Sequence, residues 1–174
     1  TVCHKKVREL KNLISAPSDS PIVGVSWKTK ATTQFSDKRN IELAELANLG
    51  RQTKITLISL QYGDTSREIS AVETSLGVKV KHVEGLDLFN DIEGLAALIR
   101  CCDKVITIDN VNAHLAGALN VPTCLLLKVG HEWRWGLSQQ SYWYDSVSLI
   151  RQTQMDDWRA CLLAVSEEMR TTTT

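Results

Sequence analysis

The residues best placed to do chemistry lie in one short run, Val105-Ile106-Thr107-Ile108-Asp109-Asn110-Val111-Asn112-Ala113-His114-Leu115-Ala116-Gly117-Ala118-Leu119. An apolar stretch that reads as a strand ends on Asp109, and a helix over 111–119 opens directly after Asn110. Asparagine is a good N-cap residue. The amides that follow it are unpaired at a helix start and carry the positive end of the helix dipole. Such a start can bind a phosphate-like anion without a glycine fingerprint. His114 stands one turn in, where it could donate a hydrogen bond to the same anion. From position alone, His114 is equally a histidine satisfied in a helix–loop contact, and Asp109 equally a strand-end residue that caps backbone amides. Ala113, Ala116, Gly117 and Ala118 are small, which predicts close approach of this helix to a sheet.

The elements that must position this run follow from hydrophobic spacing. Val7, Leu10, Leu13 and Ile14 predict a helix over 2–15, and Ala16-Pro17-Ser18-Asp19-Ser20-Pro21 breaks it. Ile22 to Trp27 reads as a buried strand. A long polar stretch from Lys28 to Arg39 follows, of the kind that is often functional. Ile41 to Leu49 predicts a helix with Gly50 as its C-terminal cap. Ile55–Leu60 and Val78–Val83 read as strands on either side of a helix at 66–76, which Gly77 ends. A helix beginning near Asp91 precedes the strand Val105–Ile108. Pro122 opens a fifth strand through Leu127. A further strand near 147–150 and a final helix from about Asp156 to Met169 complete the pattern. There is no internal repeat.

Strands alternate with helices at least four times, and the strands are continuous apolar runs. That pattern predicts an α/β fold, a Rossmann-like parallel sheet with helices on both faces. Ligands of such sheets bind beyond the carboxyl ends of the strands, at the switch point. The candidate positions there are Trp27-Lys28, Gln61-Tyr62-Gly63, Val83-Glu84-Gly85, Asp109-Asn110 and Lys128-Val129-Gly130. Trp27 reads as core at its ring and lining at its edge. The glycine fingerprint of a dinucleotide site and the GxxxxGK[ST] loop are both absent. Their absence argues against a nicotinamide oxidoreductase and a P-loop nucleotidase.

Composition sets the outer bounds. The chain has 174 residues, 43% of them apolar and 23% charged, with 20 basic and 20 acidic side chains. This is the profile of one ordinary globular domain. The zero net charge argues against a strongly basic nucleic-acid binder, and no apolar run approaches a membrane span. The five cysteines, Cys3, Cys101, Cys102, Cys124 and Cys161, have neither disulfide-framework nor zinc-site spacing. They read as reduced, mostly packed thiols of a cytoplasmic protein, with Cys124 in the core. The chain does not begin with Met, and the expectation is that it was cut from a longer one.

At the 105–119 run the chain resembles the heptosyltransferase-like glycosyltransferases, and among them the glycosyltransferase domains that follow tetratricopeptide repeats in some bacterial proteins. The family pattern is a strand, Asp, then Thr, Ser or Asn, two variable residues, and Ala-His-Leu-Ala-Gly-Ala-Leu, matched here from Asp109 to Leu119. Val23-Gly24-Val25-Ser26-Trp27, Asp37-Lys38-Arg39-Asn40-Ile41 and Ile58-Ser59-Leu60-Gln61-Tyr62-Gly63 are similar to earlier family segments. Trp133-Arg134-Trp135, Ser141-Tyr142-Trp143-Tyr144, Ile150-Arg151-Gln152 and Asp157-Trp158 are similar to its C-terminal signature. The likeness covers about residues 21–160. Asn120, where Gly is common, and Lys128-Val129-Gly130, in place of a proline-containing turn, depart from it.

The resemblance implies the C-terminal, donor-binding half of a GT-B glycosyltransferase. Residues 1–20 would be a connector helix and linker, 21–170 the nucleotide-sugar-binding domain and 171–174 a disordered tail. Asp109, Asn110 and His114 would sit at the donor diphosphate and sugar. Lys38 or Arg39 would supply positive charge, and Gln61 and Gly63 would line the nucleotide pocket. The partners implied are a nucleoside diphosphate sugar, an unidentified saccharide, lipid or protein acceptor, and an N-terminal domain of the same longer chain that would hold the catalytic base. The reaction would be inverting and would need no cofactor and no metal. On this reading the isolated chain binds nucleotide but turns over poorly. The competing expectation is a non-catalytic binding or assembly module derived from such a domain. Trp133 and Trp135 would share a face of an extended chain, either as packing or as a platform for a base or sugar.

Overall fold

The computed structural model describes residues 2–29, 37–52 and 54–171. In chain order the elements are α1 (His4–Ile14), β1 (Ile22–Ser26), a single helical turn at Asp37–Arg39, α2 (Leu43–Gln52), β2 (Thr56–Ser59), α3 (Ser66–Leu76), β3 (Val80–Lys81), α4 (Ile92–Ile99), β4 (Lys104–Ile108), α5 (Val111–Ala118), β5 (Thr123–Leu127), a second single turn at Trp133–Trp135, β6 (Val147–Arg151) and α6 (Arg159–Thr171). The expected disordered tail falls largely on residues 172–174, outside the described residues.

All six strands form one sheet in the order β3-β2-β1-β4-β5-β6. Every neighbouring pair is parallel. The apolar runs are continuous because successive side chains point to opposite faces and both faces are covered. Val23, Val25, Ile106, Ile108 and Leu126 pack with Leu46, Val72 and Val165 of α2, α3 and α6. On the other face Ile58, Leu60 and Val105 pack with Leu10, Leu95, Leu98 and Ala116 of α1, α4 and α5. Leu125, Leu127, Val147 and Leu149 extend that face over Ala113 and Trp135. Helix α1, read from sequence as a connector, thus puts Leu10 and Ile14 into a core, and Lys6 Nζ reaches Asp91 Oδ2 at 2.7 Å.

Local signals account for most boundaries. Asp91 caps α4 by accepting from the Gly94 amide at 2.7 Å, and Gly77 ends α3 in the left-handed region at φ 66°. Three boundaries differ from expectation. Gly50 is no cap: α2 continues through it to Gln52, and a Cβ there would lie 3.1 Å from Leu57 and 3.2 Å from Val78. Its glycine serves close packing of α2 on the sheet. The third strand is only Val80–Lys81, the two residues that pair with β2 at this edge of the sheet. The last helix starts at Arg159 rather than near Asp156, whose φ of 59° lies outside the right-handed helical region.

Candidate functional site

Strand order reverses between β1, which neighbours β2, and β4, which neighbours β5. The connections leaving β1 and β4 therefore diverge and open a cleft at their carboxyl ends. The cleft encloses about 470 Å³. One wall is apolar: Tyr62, Leu88, Phe89 and Ile92, with the Tyr62 and Phe89 rings 5.5 Å apart. The other is polar: Arg39, Asp109, Asn110, His114 and Arg134.

Asp109 is the hub of the polar wall. It is the first residue after β4 and only 5% exposed. Its Oδ1 accepts from the Trp135 indole at 2.9 Å and meets Arg134 at 3.5 Å, while Oδ2 lies 3.5 Å from Arg39. The second Arg39 nitrogen reaches Glu132 at 3.8 Å. These ion pairs are loose. The Nε atoms of Arg39 and Arg134 are buried without a hydrogen-bond partner among the described residues, as is Asp109 Oδ2. Both guanidiniums line the cleft beside this carboxylate.

Asn110 holds the start of α5 in place. Its Oδ1 accepts from the Asn112 amide at 2.9 Å and from Thr107 at 3.1 Å, and its Nδ2 donates to Ser26 at 2.9 Å. Its side chain is spent on capping and on tying β4 to β1, so its contribution is the orientation of the helix start. His114, one turn in, is half-buried. Its ring stacks on Trp135 at a centroid distance of 5.0 Å, and Nδ1 lies 3.1 Å from the Tyr144 hydroxyl. Burial lowers the His114 pKa, Arg134 lowers it further, and Asp109 opposes both. The imidazole is therefore neutral at neutral pH.

The other expected residues sit elsewhere. Gln61 is buried, and its Oε1 accepts from Ser26 Oγ, the Trp27 amide and the Lys28 amide at 3.2, 3.0 and 2.8 Å. It shapes the exit of β1. With Gly63, at φ 86°, it borders an adjoining hollow of about 270 Å³ that shares Tyr62 and Leu88 with the cleft. Lys38 faces away. Its Nζ lies 3.3 Å from Met155 Sδ and 4.0 Å from Asp156, in a separate hollow with Lys128 and Gln152. Of the basic pair, only Arg39 joins the cleft. Lys28 is drawn to Glu68 at 3.0 Å. Trp27 is wholly buried, its indole also on Glu68. Trp135 is wholly buried and Trp133 is 82% exposed, so the two do not share one environment.

Among the contributors outside the candidate set are Arg134, Phe89 and Tyr144. Arg134 and Tyr144 belong to the run between β5 and β6 whose likeness to a family signature was the one signal available. Phe89 had none, since an isolated aromatic in a turn is not distinctive.

Of the small residues of α5, Ala113 and Ala116 are buried against the sheet, but Ala118 is exposed. Gly117 meets the Tyr144 ring, which a Cβ would overlap. Four cysteines are buried and Cys3 is exposed. Burial pushes the thiols of Cys124 and Cys161 up to about 12 and about 11. Among the described residues no group of three or more His, Cys, Asp or Glu side chains could hold a metal ion. No helix there is long and apolar enough to cross a membrane.

No family model matches the chain. FlbA of Caulobacter vibrioides is 33% identical over 165 residues, which is 95% of this chain and 28% of FlbA. The E. coli ADP-heptose LPS heptosyltransferase II is 17% identical and superimposes with a TM-score of 0.65, over 99% of this chain and 52% of that one. A glycosyl transferase family 9 protein from Veillonella parvula is 12% identical with a TM-score of 0.64, over 98% and 45%. The chain thus spans about a quarter of FlbA and about half of each transferase. It has the α/β, Rossmann-like fold found in these GT-B glycosyltransferases, as its resemblance to the heptosyltransferase-like group implied.

Proposed function

We propose that this chain is the donor-binding half of a glycosyltransferase that uses a nucleoside diphosphate sugar. The observation that carries the reading is the convergence of Arg39, Arg134 and the start of α5 on one cleft around a single buried carboxylate. A diphosphate supplies oxygens to two guanidiniums whose ion pairs with Asp109, at 3.5 Å, are loose. Breaking the bond from sugar to phosphate leaves added negative charge on the diphosphate. Fixed cations and helix-end amides stabilise that charge without reorganising. The apolar wall of Tyr62, Phe89 and Ile92 suits the flat face of a nucleobase. Asp109 acts by keeping both arginines turned into the cleft.

The same reading makes the reaction a metal-independent inversion. A base on another part of the full protein takes the proton of the acceptor hydroxyl, which attacks the anomeric carbon. It also places the chain in the cytoplasm with its thiols reduced. The isolated chain then binds donor and transfers poorly.

Calorimetric titration with ADP, GDP, UDP and CDP tests this. At least one binds, and Arg39→Ala and Arg134→Ala each weaken it about 10- to 100-fold, the worth of a hydrogen bond to a charged group. Absence of binding by all four at millimolar concentration, or binding indifferent to both substitutions, overturns the reading. Either result would leave the non-catalytic module as the better account.

A further inference from the structure

We propose that Tyr144 is a positioning residue that fixes the tautomer of His114, so that the imidazole presents an Nε2–H donor to the cleft. The use of that donor, towards a diphosphate oxygen, rests on the function proposed above. The tautomer itself does not.

The imidazole is held on two sides. Trp135 lies against its face with an interplanar angle of 23°. Trp135 is in turn fixed by full burial and by its indole bond to Asp109. Tyr144 approaches the imidazole edge-on, at 68°, with its hydroxyl 3.1 Å from Nδ1. Tyr144 is itself seated. Its ring rests on the backbone of Gly117, where a Cβ would lie 2.7 and 2.8 Å from Cδ2 and Cδ1 and closer still to Cγ. The glycine one turn along α5 thus makes room for the ring whose hydroxyl reaches the histidine.

The direction of the hydrogen bond follows from acid–base strength. A phenol O–H is a far stronger acid than a neutral imidazole N–H, and the unprotonated imidazole nitrogen is a better acceptor than a phenol oxygen. The stable arrangement is Oη–H donating to Nδ1, which puts the single imidazole proton on Nε2. One ring nitrogen's hydrogen bond sets the state of the other. The charged groups near the ring are Arg134 and Asp109. Nε2 has no hydrogen-bond partner among the described residues, and His114 lines the cleft beside Arg39 and Arg134. An Nε2–H there joins a set of donors. The reverse tautomer would present a lone pair to an anion already drawn in by two guanidiniums.

Two-bond proton–nitrogen correlation NMR on the ¹⁵N-labelled chain, with His114 assigned by loss of its signals in His114→Gln, tests this at slightly alkaline pH. The expected spectrum shows a pyridine-like Nδ1 and a pyrrole-like Nε2. In Tyr144→Phe, which keeps the ring over Gly117, both shifts move towards the tautomer average. A pyrrole-like Nδ1 in the unsubstituted chain, or a pattern unchanged by Tyr144→Phe, overturns the proposal. Nucleotide titration is read separately: if a diphosphate binds, Tyr144→Phe weakens it several-fold. If none binds, the function proposed above fails while the tautomer result still stands or falls on the spectrum.

Discussion

Replacing Gly117 by alanine sets two effects of opposite sign against each other. Gly117 lies inside α5 and has a right-handed helical neighbour on each side. Helix propensity alone predicts that alanine there stabilises by about 1 kcal/mol. The packing predicts the reverse. The new methyl would sit within 2.8 Å of three Tyr144 ring atoms, well inside van der Waals contact. Overpacking of this kind costs roughly 1–3 kcal/mol. The ring must retreat, and its hydroxyl then leaves His114 Nδ1, a loss of about 1 kcal/mol for one hydrogen bond. The net is a destabilisation of roughly 1–3 kcal/mol. For a domain of this size that lowers Tm by about 2–4 °C per kcal/mol. Urea and thermal melts of Gly117→Ala measure it. A double-mutant cycle with Tyr144→Ala isolates the cause: without the ring, the same substitution becomes neutral or stabilising by up to about 1 kcal/mol. A higher Tm for Gly117→Ala alone, or the same effect with and without the ring, would refute the packing argument.

Asp109→Asn retains an acceptor for the Trp135 indole but removes the charge that gathers Arg39 and Arg134; it should fold, yet bind nucleoside diphosphate more weakly despite the cleft becoming more positive. Tighter binding would show that Asp109 acts only as a repelling charge. Lys38→Ala, which alters the separate hollow, should change that affinity less than about twofold, against at least about tenfold for Arg39→Ala. Equal losses would mean that Lys38 swings into the cleft. Because burial and Arg134 hold the His114 pKa below 6.5, the unfolded chain takes up this proton at higher pH than the folded one. Stability from this group is complete above pH 6.5 and is lost as pH falls through the lower, folded value. Urea melts across that window should show a decline that flattens in His114→Gln. Only Cys3 should react with a thiol reagent in the folded chain, and denaturation should release the four buried thiols.

What sequence could and could not reveal divides along physical lines. The sheet was legible because a strand covered on both faces must be mostly apolar, as Val105–Ile108 and Thr123–Leu127 are, with only Thr107 and Thr123 polar. The helix starts at Asp91 and Asn110 were legible because a cap is a contact between residues two or three apart. Gly50 misled because a glycine near the end of an apolar period has two uses, a left-handed cap or a close approach. The choice between them depends on Leu57 and Val78, which lie beyond the helix in the chain. Lys38 and Arg39 show the same limit at the site. They are adjacent in one helical turn, yet one turns to Met155 and the other to Asp109.

Asp109 carries the argument furthest. Its type and its place after a strand were enough to mark it, and a direct role at the donor followed by resemblance. The geometry adds an indirect task, on the function proposed above. Its Oδ1 is committed to Trp135, and both oxygens face arginines. A buried carboxylate opposite two guanidiniums is stabilised only while both stay close, because an unpaired buried charge costs several kcal/mol. On the proposed function the arginines are thereby held at the cleft, and an entering diphosphate meets donors already in position. On the proposed function, a carboxylate paired with two arginines lets a chain of zero net charge hold an anion site without a basic patch in its sequence to announce it.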